Sequence, residues 1–259
     1  MDWLQAIILG LVQGLTEFLP VSSSGHLELG KVILGTDIEE DLTFTVVVHG
    51  ATVLSTIVVF RKDIASIFNG LLKFTLNQET LFAGKILFSM IPVLFVGLFL
   101  KSHIENMYDG NLVLIGGMLL ITSALLALTY LRKNGNRNIT FLDAFIIGIA
   151  QAFATIPGIS RSGATIATGL IIGNKRNEIA RFSFLMVIIP IIGANILEIM
   201  EQSSALQTSA DIMPLVLGFI TAFIAGLLAC RFMISIVKKG GLIWFSIYCL
   251  IVALIAIFV

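Results

Sequence analysis

Gln13-Gly-Leu-Thr-Glu-Phe-Leu-Pro-Val-Ser-Ser-Ser-Gly-His26 brings a carboxylate (Glu17), three consecutive hydroxyls (Ser22, Ser23, Ser24) and an imidazole (His26) into one short stretch. A serine hydroxyl becomes a useful nucleophile when a neighbouring base takes its proton, and an imidazole is the natural base near neutral pH. Ser23 is therefore a candidate nucleophile. His26 is a candidate proton carrier or itself a nucleophile, and direct attack by water stays open. Glu17 lies one helical turn beyond Gln13, so both face the same way. A carboxylate acting with phosphate oxygens can hold a hard divalent cation such as Mg²⁺ or Ca²⁺, which makes Glu17, with Gln13, the candidate metal ligands. No His or Cys spacing supports zinc.

A weaker copy of this stretch follows 138 residues on, as Gln151-Ala-Phe-Ala-Thr-Ile-Pro-Gly-Ile-Ser-Arg-Ser-Gly163. It carries Arg161 where the first has Ser23, and Ala164 where the first has His26. Each serine cluster precedes an apolar run, and Ser is a favoured helix N-cap. The free N–H groups and dipole of such an N-terminus attract anions. Ser22, Ser24, Gly25, Ser160, Ser162 and Gly163, together with Arg161, thus read as a composite site for a phosphate or diphosphate. The plainer alternative is that Ser22 and Ser160 only satisfy broken-helix backbone. Burying Arg161 costs at least about 2.5–3.5 kcal/mol, so it needs an anion: Glu17, a ligand, or both. His49, inside an apolar span, reads as a packing or supporting residue, and His103 has no assigned role.

The elements that must position these residues are apolar. The chain is 57% hydrophobic and only 12% charged, about half the charge of an ordinary soluble domain. Spans are expected at about 44–60, 82–100, 112–131, 182–198, 212–230 and 242–259, long enough to cross a hydrocarbon layer of roughly 30 Å. Regions 3–34 and 141–173 are apolar too, but Pro, Gly and Ser break each in its middle. Zero net charge leaves no electrostatic case for nucleic acid. Cys230 and Cys249 lie in apolar segments and read as packing residues.

Charge sets the topology. Of the 16 Lys and Arg, 13 cluster around residues 61–85, 132–137, 175–181 and 231–239. Placing those loops in the cytoplasm makes every span alternate. It turns region 141–173 into a hairpin re-entering from inside and region 3–34 into one re-entering from outside. Residues 61–80 are expected to form a helix on the cytoplasmic surface. The two broken regions align without a gap, with identical pairs including Gly10/Gly148, Gln13/Gln151, Ser22/Ser160, Ser24/Ser162 and Gly25/Gly163. The expectation is an all-α integral membrane protein built as an inverted-topology repeat, with six transmembrane helices plus two re-entrant helical hairpins. Residues 1–138 form the first repeat and 139–259 the second, each a hairpin plus three spans, with the site near the midplane where the broken helices meet.

Gly-Leu-Thr-Glu-Phe-Leu-Pro-Val-Ser-Ser-Ser-Gly-His (14–26) and Pro-Gly-Ile-Ser-Arg-Ser-Gly-Ala-Thr-Ile (157–166) resemble the two signature motifs of the undecaprenyl-diphosphate phosphatase (BacA) family, and the resemblance covers the whole chain. It implies hydrolysis of a polyprenyl diphosphate lipid to its monophosphate, which recycles the carrier for cell-wall synthesis and underlies bacitracin resistance. It implies that Glu17, Ser23, His26 and Arg161 match the essential positions, and that a divalent cation is required. The family usually has Glu where this chain has Gln13, so Glu17 is left as the main metal ligand. The location expected is the inner (plasma) membrane. The partners expected are the lipid substrate and a second copy of the chain in a homodimer, and no nucleic acid. The competing reading is a secondary transporter or lipid flippase using the same anion site.

Overall fold

The computed structural model describes residues 1–34, 42–100, 104, 111–132, 135–202 and 212–258. The acidic residues Asp37, Glu39, Glu40, Asp41, Glu105, Asp109 and Asp211, and His103, lie outside these. Twelve α-helices are described: α1 (Trp3–Thr16), α2 (Ser23–Leu34), α3 (Leu42–Val59), α4 (Arg61–Leu71), α5 (Gln78–Phe99), α6 (Leu112–Leu131), α7 (Phe141–Phe153), α8 (Arg161–Ile171), α9 (Arg176–Met186), α10 (Ile188–Gln202), α11 (Ile212–Lys239) and α12 (Ile243–Phe258). The only β pairing among the described residues is an isolated bridge between Arg137 and Asn174.

Four helices are long and apolar enough to cross a membrane: Gln78–Phe99, Leu112–Leu131, Arg176–Leu197 (α9 running into α10) and Ile212–Lys239. A fifth crossing results if α3 and α4 count as one span, although they meet at 73°. That bend turns α4 away after Phe60, where the expected surface helix begins. The span expected at 242–259 is the 16-residue helix α12, which at about 1.5 Å per residue rises roughly 24 Å. It falls short of the length that marks a crossing by itself.

Burial is arranged as it must be in lipid. Large apolar side chains such as Leu98, Leu131, Leu228 and Trp244 face outward, while Gln13, Thr52, Thr122, Asp143, Gln151 and Ser160 are buried. Water would not leave so many polar groups inside with this much apolar surface outside. The main core gathers Phe18, Ile115, Leu119, Ile147, Ile166, Phe182 and Phe184, and a second cluster joins Ala6, Leu9, Phe44, Val48 and Ala222.

Each broken region is two short helices with a sharp turn between. α1 starts because Asp2 and Gln5 form a capping box, and α7 starts on the same device made by Thr140 and Asp143. α1 stops ahead of Pro20, whose preceding residue is steered out of helical backbone. α7 stops ahead of Pro157-Gly158, where Gly158 adopts φ +90° and its missing Cβ leaves room for the Ile115 carbonyl. α1 packs mainly on α11, and α7 mainly on α5. Repeat-matched glycines make both crossings close: a Cβ at Gly10 would strike Gly218 and Thr221, and one at Gly148 would strike the Ser89 carbonyl.

Candidate active site

The second helix of each hairpin begins at the serine motif, and the two begin alike. Ser22 Oγ accepts from Gly25 N–H at 3.3 Å, and Ser160 Oγ accepts from Gly163 N–H at 3.1 Å. In both motifs the serine two residues on, Ser24 or Ser162, sits 3.3 Å from the capping hydroxyl. Ser22 and Ser160 therefore do act as caps. Ser22 does so from left-handed backbone, φ 69°, a conformation that costs a non-glycine residue about 1–3 kcal/mol. Repeat-equivalent Ser23 and Arg161 then occupy the first helical position of α2 and α8.

The hairpins meet at their turns. Ser162 Oγ donates to the Leu19 carbonyl at 3.2 Å, Gly163 faces Pro20 and Gly25 faces Gly158. This contact carries Arg161 and Glu17 into one cavity, lined also by Thr52, Thr56, Gln151 and Thr165. Its volume is about 20 Å³, room for about one water molecule.

Glu17 is the hub. It ends α1, and its side chain is buried, at 7% relative exposure. Glu17 Oε2 accepts from Ser23 Oγ at 2.8 Å and from Gln13 Nε2 at 3.0 Å. His49 Nε2 lies 4.0 Å from the same oxygen, and the Arg161 charge acts on the carboxylate across the cavity. Arg161 makes no ion pair among the described residues, so its guanidinium donors remain available to an anion.

His26 points elsewhere. Its Nδ1 lies 2.9 Å from the Ser22 carbonyl and its Nε2 lies 2.8 Å from the Tyr248 hydroxyl. A carbonyl can only accept, so Nδ1 carries the proton. In the neutral ring Nε2 then accepts from Tyr248. The two rings also stack, 5.6 Å between centroids and 9° from parallel. The structure thus joins Ser23 to Glu17, and holds His26 on a tyrosine from α12.

For a divalent cation the residues fit in part. No group of three or more His, Cys, Asp or Glu gathers among the described residues. Hard oxygen donors are nevertheless present. Gln13 Oε1 and its repeat counterpart Gln151 Oε1 are buried and lack hydrogen-bond partners, and Gln13 is already bonded to Glu17. A carboxylate supplemented by amide and phosphate oxygens is a donor set that Mg²⁺ or Ca²⁺ accepts.

His49, Thr52, Thr56 and Tyr248 are site residues to which motif reading gave no direct role. One signal was available for the first three: Thr45, His49, Thr52 and Thr56 recur at helical spacing along an otherwise apolar span, which marks one polar face turned inward. Tyr248 gave none, because its contact spans 222 residues.

Comparison with known proteins bears on the whole chain. The profile of the family described as "Bacitracin resistance protein BacA" matches residues 6–255. An undecaprenyl-diphosphatase of Christiangramia forsetii is 54% identical, covering 99% of this chain and 98% of its own. One from Bacteroides fragilis is 52% identical over 100% and 98%. One from Carboxydothermus hydrogenoformans is 41% identical over 96% and 94%.

Proposed function

The chain belongs to the bacitracin resistance protein BacA family, and from that premise we propose that it is a membrane phosphatase that hydrolyses undecaprenyl diphosphate to the monophosphate and inorganic phosphate. The observation that carries the reading is the convergence of the two hairpins: Ser23 bonded to Glu17, with Arg161 in the same cavity as Glu17. The names of the relatives point to hydrolysis, and none of those names points to transport.

Ser23 is assigned as nucleophile. Its hydroxyl donates to Glu17, so the carboxylate is placed to take the proton as Ser23 Oγ attacks the terminal phosphorus. The phosphoanhydride bond breaks, the lipid monophosphate leaves with the bridging oxygen, and water then cleaves the phosphoserine to release phosphate. Arg161 stabilises the charge that spreads over the phosphoryl oxygens, and its planar fork suits phosphate better than an ammonium does. His26, held by the Ser22 carbonyl in the tautomer with its proton on Nδ1 and its Nε2 lone pair on the Tyr248 hydroxyl, is assigned as the proton carrier for the leaving group or the water, which exchanges with Tyr248 at Nε2. A divalent cation held by Glu17, with Gln13 adding an oxygen, would neutralise part of the diphosphate charge. The cavity admits about one water, so the side chains that line it must move for the diphosphate to enter. The prenyl tail lies sideways among the helices in lipid.

We assign the frame as an inverted repeat of residues 1–138 and 139–259, with six crossings and two re-entrant hairpins, in the inner membrane. Three features support this. α1 and α2, of 14 and 12 residues, rise only about 21 and 18 Å, short of a roughly 30 Å hydrocarbon layer. The serine caps repeat bond for bond. Each hairpin leans on a long helix of the other half, α1 on α11 and α7 on α5.

The test is phosphate release from undecaprenyl diphosphate by the purified chain in detergent, where no gradient exists to drive transport. Release that requires Ser23 and Arg161 supports the assignment. A folded, monodisperse protein that releases none overturns it.

A further inference from the structure

A second cavity, of about 180 Å³, lies at the basic end of the molecule and shares no lining residue with the first. Arg132 just beyond α6, Arg176 opening α9 and Lys239 closing α11 line it, with Tyr130, Leu170 and Gly240. No carboxylate lines it among the described residues, and none of the three cations forms an ion pair there. Gly240, at φ +81°, lets the Arg176 guanidinium lie against the end of α11, where any Cβ would collide with it. Basic residues are expected on the cytoplasmic side of a membrane protein. That rule accounts for their side, but not for three of them, from three helices, around one cavity.

The charge balance identifies the ligand. The carbonyl ends of α6, α8 and α11 each bring about half a negative charge and the N-terminus of α9 about half a positive one, which with three cations leaves roughly two positive charges without a counter-ion. A phosphate monoester carries about −1.5 to −2 at neutral pH and three acceptor oxygens, a match in both charge and number of contacts. We propose that this cavity is a second phosphate-binding site, taking the phosphate group either of an anionic membrane lipid headgroup or of inorganic phosphate. The site is separate from the hydrolytic one and does not depend on it.

The test uses the full chain in phosphatidylcholine nanodiscs with Arg161→Gln in the background, so that the hairpin site does not contribute. One arm titrates inorganic phosphate, read by broadening of its ³¹P resonance. The other adds phosphatidic acid to the bilayer, read as lipid retained in native mass spectrometry. Arg132→Gln and Lys239→Gln change exposed side chains without a bonded partner among the described residues, so the fold is not at risk, and each is expected to weaken binding about tenfold. Combining them with Arg176→Gln is expected to abolish it. Loss of phosphate binding in the variants assigns the site to the free anion, and loss of phosphatidic acid retention assigns it to the headgroup. The proposal is overturned if neither probe binds, or if both bind the variants as they bind the parent.

Discussion

Replacing Glu17 by glutamine tests whether its carboxylate does more than hold Ser23. The buried Oε2 accepts hydrogen bonds from Ser23 at 2.8 Å and Gln13 at 3.0 Å. A hydrogen bond to a charged acceptor is worth about 1.5–3 kcal/mol and a neutral one about 0.5–1.5. An amide oxygen in the same place would thus weaken the hold on Ser23 by about 1–1.5 kcal/mol, close to tenfold in rate. If the carboxylate also takes the Ser23 proton, a general-base contribution of about 10²–10⁴ is lost as well. The account therefore predicts that Glu17→Gln lowers kcat for phosphate release by at least about a thousandfold. Phosphate release from undecaprenyl diphosphate in detergent measures this, with thermal unfolding of the same preparation to show that the fold survives. A folded variant that stays within about tenfold of the parent would mean that Glu17 only positions Ser23. The proton-transfer role would then be refuted.

Three other outcomes are expected. Arg161→Lys keeps the charge but loses the planar fork, and should remove most phosphate release; full turnover in that variant would make Arg161 a structural counter-ion. Gln13→Glu adds a hard oxygen beside Glu17 and should lower the concentration of Mg²⁺ or Ca²⁺ needed for half-maximal activity; aggregation in detergent would count against a cation-bearing site there. Gly148→Ala forces a methyl against the Ser89 carbonyl and should cost about 1–3 kcal/mol, read as a lower unfolding temperature with activity per folded molecule unchanged.

Local and repeated features were legible in the sequence. Charge-poor composition gave the membrane class, and the paired motifs gave two broken hairpins whose turns fall where Pro20 and Pro157 interrupt the helices. Ser22 and Ser160 were ambiguous between capping and anion binding, and the bonds to Gly25 and Gly163 show the capping. What the sequence left hidden depends on packing between distant elements. Ser23 and His26 lie three residues apart, and proximity suggested that they pair. In the structure the Ser23 hydroxyl instead turns back to Glu17 at the end of α1, while the His26 ring bonds Tyr248 of α12. The 73° turn after Phe60, by contrast, falls where the apolar span was expected to give way to an amphipathic helix. His49 read as a packing or supporting residue, and the sequence could not say what it supports because Glu17, 4.0 Å away, lies on another helix.

The most direct test of the central claim, that Ser23 attacks within a site shared by the two hairpins, is a rapid acid quench during turnover followed by mapping of any phosphorylated residue. The account predicts an acid-stable phosphoester on Ser23, absent from Ser23→Ala and strongly reduced in Arg161→Lys. An acid-labile adduct on His26 that still forms in Ser23→Ala would contradict it and give the nucleophile's role to the imidazole.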